Sequence, residues 1–272
     1  MRHVSFATDI AGALLLFALC PSGSLSQTTT ETPLPAKYYH GFGGGFVLYD
    51  KNADRFTVYR PGDCGKRVTP ASTFKILNSL IGLETGVIKD EHFVIPWDSV
   101  HRDIESWNRD HDLASAIANS VVPYYQELAR RVGRTRMSSY IDSTGYGNSD
   151  ASGPIDRFWL GSTLLISADE QVDFLRRLYD GRLPFSRRSM DIVKRILVLE
   201  HNGEYTLRGK TGFSEDRSGV LVGWFIGYVE KSGNVYFFAL TMTSPNVERD
   251  GDTIRSERKA AALAILRDLG VL

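Results

Sequence analysis

Strand-forming sequence is confined to the two ends of this chain, a division that restricts its folds more than any other feature. Residues 45–49 and 55–59 are rich in β-branched and aromatic side chains and flank the polar stretch 50–54, so they read as a hairpin. Strand character returns at 205–210, 220–229 and 235–243, with 230–234 as the turn between the last two. Residues 70 to 200 read mainly as helices, punctuated at Gly86, Pro123, Gly133, Gly145, Gly181 and Pro184. Residues 253–269 read as a final amphipathic helix, and 27–37, rich in Thr and Pro, as a flexible lead-in. The expected architecture is therefore α+β: an antiparallel sheet formed by both chain ends with flanking helices, plus an inserted all-helical lobe. A cleft between sheet and lobe suits a small-molecule site, with Lys210 on a sheet edge facing it.

The helical region opens with Ser72-Thr73-Phe74-Lys75. Thr69 has the chemistry of an N-cap and Pro70 suits the first helical position. Phe74, Leu77, Leu80 and Ile81 then repeat at helical spacing until Gly86 can end the helix. A Ser and a Lys three residues apart share one helix face, which sets an amine beside a hydroxyl and can activate that oxygen without a histidine. Ser72 falls in the first turn, where unpaired N–H groups and the helix dipole favour a developing anion. Lys75 falls one turn deeper among apolar neighbours, where its charge must be removed or paired unless the side chain snorkels to solvent. Ser120-Val121-Val122 and Lys210-Thr211-Gly212 offer a second Ser and a second Lys, and the set is suited to acyl transfer.

Those three motifs, with Tyr146-Gly147-Asn148 and Phe158-Trp159-Leu160, occur in an order and at spacings that resemble the class D serine β-lactamases, or oxacillinases. That family lies within the penicillin-binding/β-lactamase-like superfamily. The resemblance covers nearly all of the chain after residue 26. It implies that Ser72 is the acylated nucleophile and that Lys75, N-carboxylated by CO2, is the general base for acylation and deacylation. Trp159 would donate its indole N–H to that carbamate. Carboxylation needs a neutral amine, so the apolar setting must pull Lys75 down from the roughly 10.4 of a free lysine. Val122, Phe74 and Leu160 would keep the pocket dry. Ser120 would pass a proton to the departing lactam nitrogen, with Lys210 lowering its proton affinity. The backbone N–H groups of Ser72 and Phe213 would form the oxyanion hole, and Thr211, beside Gly212, would hold the substrate carboxylate with Arg255. Arg249 and Arg258 compete with Arg255 for that role. Tyr146-Gly147-Asn148 is either part of the site or a turn shaping its wall. Substrate preference would depend on loops around Trp107, Ser115 and residues 213–218.

The resemblance implies β-lactam small molecules as partners and no cofactor beyond the CO2 or bicarbonate that modifies Lys75. With 32 basic and 32 acidic residues, nothing in the charge points to nucleic acid or an anionic membrane. Residues 1–26 read as a signal peptide: a short basic head, an apolar run over 10–20 too short to span a bilayer, then Pro21 and small residues for cleavage. The catalytic domain would be 27–272, periplasmic or secreted, with no stable membrane association; a lipid anchor on Cys20 is the lesser alternative. After cleavage Cys64 is the one cysteine left, and it reads as a buried or unreactive thiol. The six histidines form no metal-ligand spacing, so no metal is expected; His101 and His111 read as surface residues. Two readings compete with the enzyme: a covalent β-lactam sensor domain, and a penicillin-binding protein that deacylates slowly. The removable signal leading straight into the catalytic fold argues against the sensor. Ser-x-Val where penicillin-binding proteins carry Ser-x-Asn argues against the other.

Overall fold

The computed structural model describes residues 27–272; the expected signal peptide and Cys20 lie outside the described residues. Among the described residues, seven strands form one sheet. They are β1 (Thr28–Glu31), β2 (Phe46–Asp50), β3 (Arg55–Tyr59), β4 (Val198–His201), β5 (Tyr205–Glu215), β6 (Leu221–Lys231) and β7 (Asn234–Ser244), ordered β1-β3-β2-β7-β6-β5-β4. The expected hairpin is β2–β3, and the seam joining the chain ends is β2 against β7, with Phe46 opposite Leu240 and Asp50 opposite Tyr236. Two expectations fail at the margins. The lead-in is not loose: β1 pairs parallel to β3, which makes the sheet mixed rather than antiparallel. β4, a short edge strand, carried too little alternation to be read from the sequence.

β6 shows why the sheet sits at the centre. Nine consecutive residues from Leu221 to Val229 are buried, so both faces are covered. Its side chains alternate between two cores, as a strand of period two requires. Val222, Trp224, Ile226 and Tyr228 pack with the helical lobe, whereas Leu221, Phe225 and Val229 pack with Ile254, Ala262, Ile265 and Leu266. Those last four belong to the terminal helix.

The α-helices are α1 (Pro61–Cys64), α2 (Lys75–Glu84), α3 (Leu113–Ala118), α4 (Val122–Val132), α5 (Arg134–Thr144), α6 (Ala168–Tyr179), α7 (Arg187–Ile196) and α8 (Val247–Asp268). Pro123 sits in the first turn of α4 and starts that helix, because its missing N–H costs nothing there. α8 begins six residues before the expected 253, since Asn246 caps it by accepting from the Arg249 N–H at 3.2 Å. α2 is buried from Lys75 to Leu83, so its one lysine has no face to solvent. No helix among the described residues is long and apolar enough to cross a membrane.

Candidate active site

Ser72 lies in a 3-10 turn, Ala71–Phe74, that feeds directly into α2. Thr69 does not cap this turn. Its hydroxyl donates to the Trp159 carbonyl at 3.1 Å and accepts from the Gly161 N–H at 2.9 Å, while its carbonyl accepts from Trp224 Nε1 at 2.8 Å. Thr69 thus pins the nucleophile turn both to the Trp159 loop and to β6. Two residues flanking the chemistry carry positive φ without being glycine, Ala71 at 50° and Ser120 at 54°. Such backbone costs about 1–3 kcal/mol each and persists only where the surroundings impose it.

On the other wall, β5 presses against the same turn. A Cβ on Gly212 would meet the Pro70 carbonyl at 3.0 Å and Thr73 Cγ2 at 3.2 Å, so glycine allows the strand to lie a few tenths of an ångström closer than another residue would. β4 pairs β5 only as far as Arg208, which leaves the outer edge of residues 209–215 without a strand partner. Gly209 donates its N–H outward to Leu197 O rather than to β6. The two-residue alternation gives the Phe213 N–H the same outward aim, into the cleft. A backbone donor aimed there can stabilise a developing anion.

These walls bring four side chains together. Lys75 Nζ lies within hydrogen-bond distance of Ser72 Oγ at 2.8 Å, the Ser120 carbonyl at 2.8 Å and Ser120 Oγ at 2.9 Å. Lys210 Nζ reaches Ser120 Oγ at 3.1 Å and the Thr211 carbonyl at 3.1 Å. Burial, then the positive charge of Lys210, holds the Lys75 amine well below the usual lysine range. Burial, then the Arg258 charge, brings Lys210 down to about 7. A neutral Lys75 amine has two protons and one lone pair. The Ser120 carbonyl can only accept, so it takes one of those protons and leaves the lone pair available for a hydroxyl proton. The cluster can therefore deprotonate Ser72 and move a proton through Ser120.

Trp159 is fully buried and stacks on Phe74 with ring centroids 5.3 Å apart and planes 29° from parallel. Its Nε1–H has no hydrogen-bond partner among the described residues. A buried donor left unpaired costs about 1–3 kcal/mol, so a group that accepts from it would be stabilised there. The donor set fits a carbamate on Lys75: a neutral buried amine to carry it and an unpaired indole N–H on the ring packed against Phe74, the neighbouring residue in the chain.

The cleft is lined by Ser72, Ile104, Trp107, Ser120, Val122 and Thr211, with Gly212, Phe213, Arg255 and Arg258 closing the far side. Both Arg255 and Arg258 belong to it, their guanidinium carbons 4.6 and 5.7 Å from the Phe213 ring centre. Arg249 does not; it pairs with Asp250 at 2.7 Å beside a separate depression near Gly43. Tyr146-Gly147-Asn148 supports the site from behind. Asn148 Nδ2 donates to the Thr163 carbonyl at 2.9 Å and Asn148 Oδ1 accepts from the Leu165 N–H at 2.9 Å, while a Cβ on Gly147, at φ 59°, would collide with the Leu165 carbonyl. Ser115 is not in the cleft either: it forms a capping box with Asp112 at the start of α3. His111, expected at the surface, is 3% exposed, its ring held between Ser115 Oγ and the Ser106 carbonyl. His101 stays near the surface against Trp97. Cys64 is buried, donates to the Tyr59 carbonyl at 3.2 Å, and has its thiol pushed up to about 12 by burial. Sequence reasoning missed Tyr125, whose ring centre lies 5.5 Å from Lys75 Nζ and whose hydroxyl bonds Ser79. The apolar stripe of α4 was its signal, but nothing local marked that stripe as facing Lys75. Gln171, missed too, reaches across from α6 to donate to Thr73 Oγ1 and Tyr146 Oη.

The chain is similar to known proteins over most of its length. Residues 40–267 match the penicillin-binding-protein transpeptidase domain. The chain is 48% identical to Beta-lactamase OXA-48 of Klebsiella pneumoniae over 206 residues, 76% of this chain and 77% of that one. It is 40% identical to Beta-lactamase OXA-10 of Pseudomonas aeruginosa over 266 residues, covering 96% and 97%. The solved class D β-lactamase YbXI of Nostoc superposes with a TM-score of 0.82 at 39% identity, over 88% of this chain and 99% of that one.

Proposed function

The chain belongs to the class D β-lactamases, a family of serine hydrolases, and from that membership we propose that it hydrolyses β-lactam antibiotics and confers resistance to them. Ser72 Oγ adds to the lactam carbonyl carbon, the ring amide opens, and the resulting ester is released by water. The observation that carries this reading is the fully buried Lys75 amine, 2.8 Å from Ser72 Oγ and held below its usual range. A lysine so placed serves as a proton acceptor rather than as a positive charge. Carboxylated by CO2, Lys75 would supply the general base for both the acylation and the deacylation step. Trp159 Nε1 would then donate to it, and the Phe74, Val122 and Leu160 side chains would limit its solvation.

The other residues follow from their positions. Ser120 Oγ, between the two lysine amines, hands a proton to the departing lactam nitrogen, and Lys210 eases that transfer electrostatically. The Ser72 and Phe213 N–H groups receive the developing oxyanion. Thr211 and Arg255 hold the substrate carboxylate, and Arg258 lies close enough to share it. We propose that residues 27–272 form the mature catalytic domain, acting in the periplasm or outside the cell after residues 1–26 are removed. No cofactor is proposed beyond the CO2 that modifies Lys75.

The test is Lys75→Ala assayed with a chromogenic cephalosporin, from burst to steady state, with and without bicarbonate. Stable acyl-enzyme on Ser72 is expected in the variant, and bicarbonate-enhanced turnover in the parent. Rapid turnover by the variant would remove the general-base assignment. One stoichiometric burst and then silence from the parent, even with bicarbonate, would make it a covalent sensor or penicillin-binding protein.

A further inference from the structure

A second cavity, of about 290 Å³, lies behind the cleft wall and shares Trp107 with it. Its volume is near the lower end, about 300 Å³, of pockets that hold small molecules. Trp97, Trp107 and Tyr124 supply flat aromatic faces, Ile95, Val121 and Pro123 fill in between them, and charged side chains ring the mouth. The nucleophile cluster has no part in this lining.

The charges at that mouth are unequal in a useful way. Glu127 is shared by Arg130 at 3.0 Å and Arg131 at 2.8 Å, and Arg130 also reaches Asp156 at 2.7 Å. Asp98 is held by Arg102. Each carboxylate at the mouth thus already has an arginine partner. Arg109 is exposed and has no ion-pair partner among the described residues. An unpaired guanidinium beside a slot of aromatic rings is suited to a ligand with a flat apolar body and one carboxylate.

The slot is built by a self-contained excursion of the chain. The Ile95 N–H donates to the His111 carbonyl at 2.9 Å and closes the segment between them. Inside it, the Arg102 N–H donates to Asn108 Oδ1 and Asn108 Nδ2 returns to the Arg102 carbonyl, both at 2.9 Å. Trp107 Nε1 donates to the Asn119 carbonyl at 3.1 Å, one residue before Ser120, which fixes the indole plane between the two spaces. The same segment therefore gives one wall to the cavity and another to the cleft.

We propose that this cavity is a second small-molecule site, taking aromatic monocarboxylates, with Arg109 as the anion-binding residue and Trp97, Trp107 and Tyr124 as the stacking surface. It does not depend on the hydrolytic reading, because its lining contains neither Ser72 nor either site lysine. Occupancy would brace Trp107 from behind and limit how far that ring yields to a bulky group in the cleft.

The chain's four tryptophans report on this directly. Indole-3-acetate would be titrated into the 15N-labelled protein carrying residues 27–272 while the Trp Nε1–H signals are followed. Trp97 and Trp107 should move together and saturate, with Trp159 and Trp224 still. Arg109→Gln should weaken binding roughly tenfold through loss of the charged fork. Glu127→Gln, which frees Arg131 from its one ion-pair partner among the described residues, should tighten it severalfold. Neither side chain is in the catalytic cleft, and the exposed Arg109 position should leave the fold intact. Movement of Trp107 without Trp97 would place the ligand in the cleft and overturn the proposal. Unchanged affinity in Arg109→Gln, or no saturation of Trp97 at millimolar concentrations, would overturn it as well.

Discussion

Trp159→Phe separates the chemistry of one hydrogen from the packing of one ring. Phenylalanine keeps an aromatic face against Phe74 but removes Nε1–H, which has no partner in the unmodified site. Two terms then oppose one another in CO2-free buffer. The smaller ring leaves a cavity, at about 1–2 kcal/mol for a partial truncation in a packed core. Removing an unpaired buried donor recovers about 1–3 kcal/mol. The variant's stability should therefore lie between about 1 kcal/mol below and about 2 kcal/mol above the parent's. With bicarbonate the balance changes, because the indole now donates to a charged acceptor and that bond contributes about 1.5–3 kcal/mol. Since about 1.4 kcal/mol is a factor of ten, Trp159→Phe should need about 10- to 150-fold more bicarbonate for half-maximal carboxylation. The carbamate carbon can be counted by NMR with 13C-bicarbonate, and a ligand that binds only the folded state also raises Tm. The parent's Tm should climb with bicarbonate and the variant's should not over the same range. Equal half-saturation in the two proteins, within twofold, would refute the indole contact.

Gly212→Ala pushes a methyl against the Pro70 carbonyl and Thr73 Cγ2, so β5 must retreat a few tenths of an ångström from the nucleophile turn. Acylation kcat/KM should fall about 10- to 100-fold with a stability loss of only about 1–2 kcal/mol, read by stopped-flow kinetics and urea unfolding; a loss of activity matched by unfolding would point to misfolding instead. Lys210 has its folded value lowered to about 7 from 10.5, so between those limits the unfolded chain binds the extra proton and stability rises with pH. That one group contributes at most about 1.4 kcal/mol per pH unit, and Lys210→Met should flatten the rise between pH 7 and 9 in denaturant melts. An unchanged slope in the variant would assign the effect to other groups.

What the sequence determined here is what depends on neighbours a few residues away. The period of 205–243 and of 45–59 marked strands, and the run from Phe74 to Ile81 marked a helix carrying Ser72 and Lys75 on one face. Ser120 and Lys210 were legible as a second Ser and a second Lys, the resemblance added Trp159, and the structure brings Ser120 within hydrogen-bond reach of Lys75 and Lys210 within reach of Ser120. Tertiary structure decided whatever is set by groups distant in the chain. Whether Lys75 snorkels or is buried depends on what covers α2, and Tyr125 is part of that cover. Thr69 had the side chain of a cap, yet the Trp159 carbonyl and the Gly161 N–H claimed it from about ninety residues away. Arg255 could not be told from Arg258 and Arg249 by spacing; the way α8 lies on β6 admitted the first two to the cleft and turned the third to Asp250. The cavity behind Trp107 had no motif at all, since it exists only where the 95–111 excursion folds back over α4. Local order follows from bonding periodicity along the chain, whereas charge state, exposure and shared walls follow from close packing, which couples residues by distance in space alone.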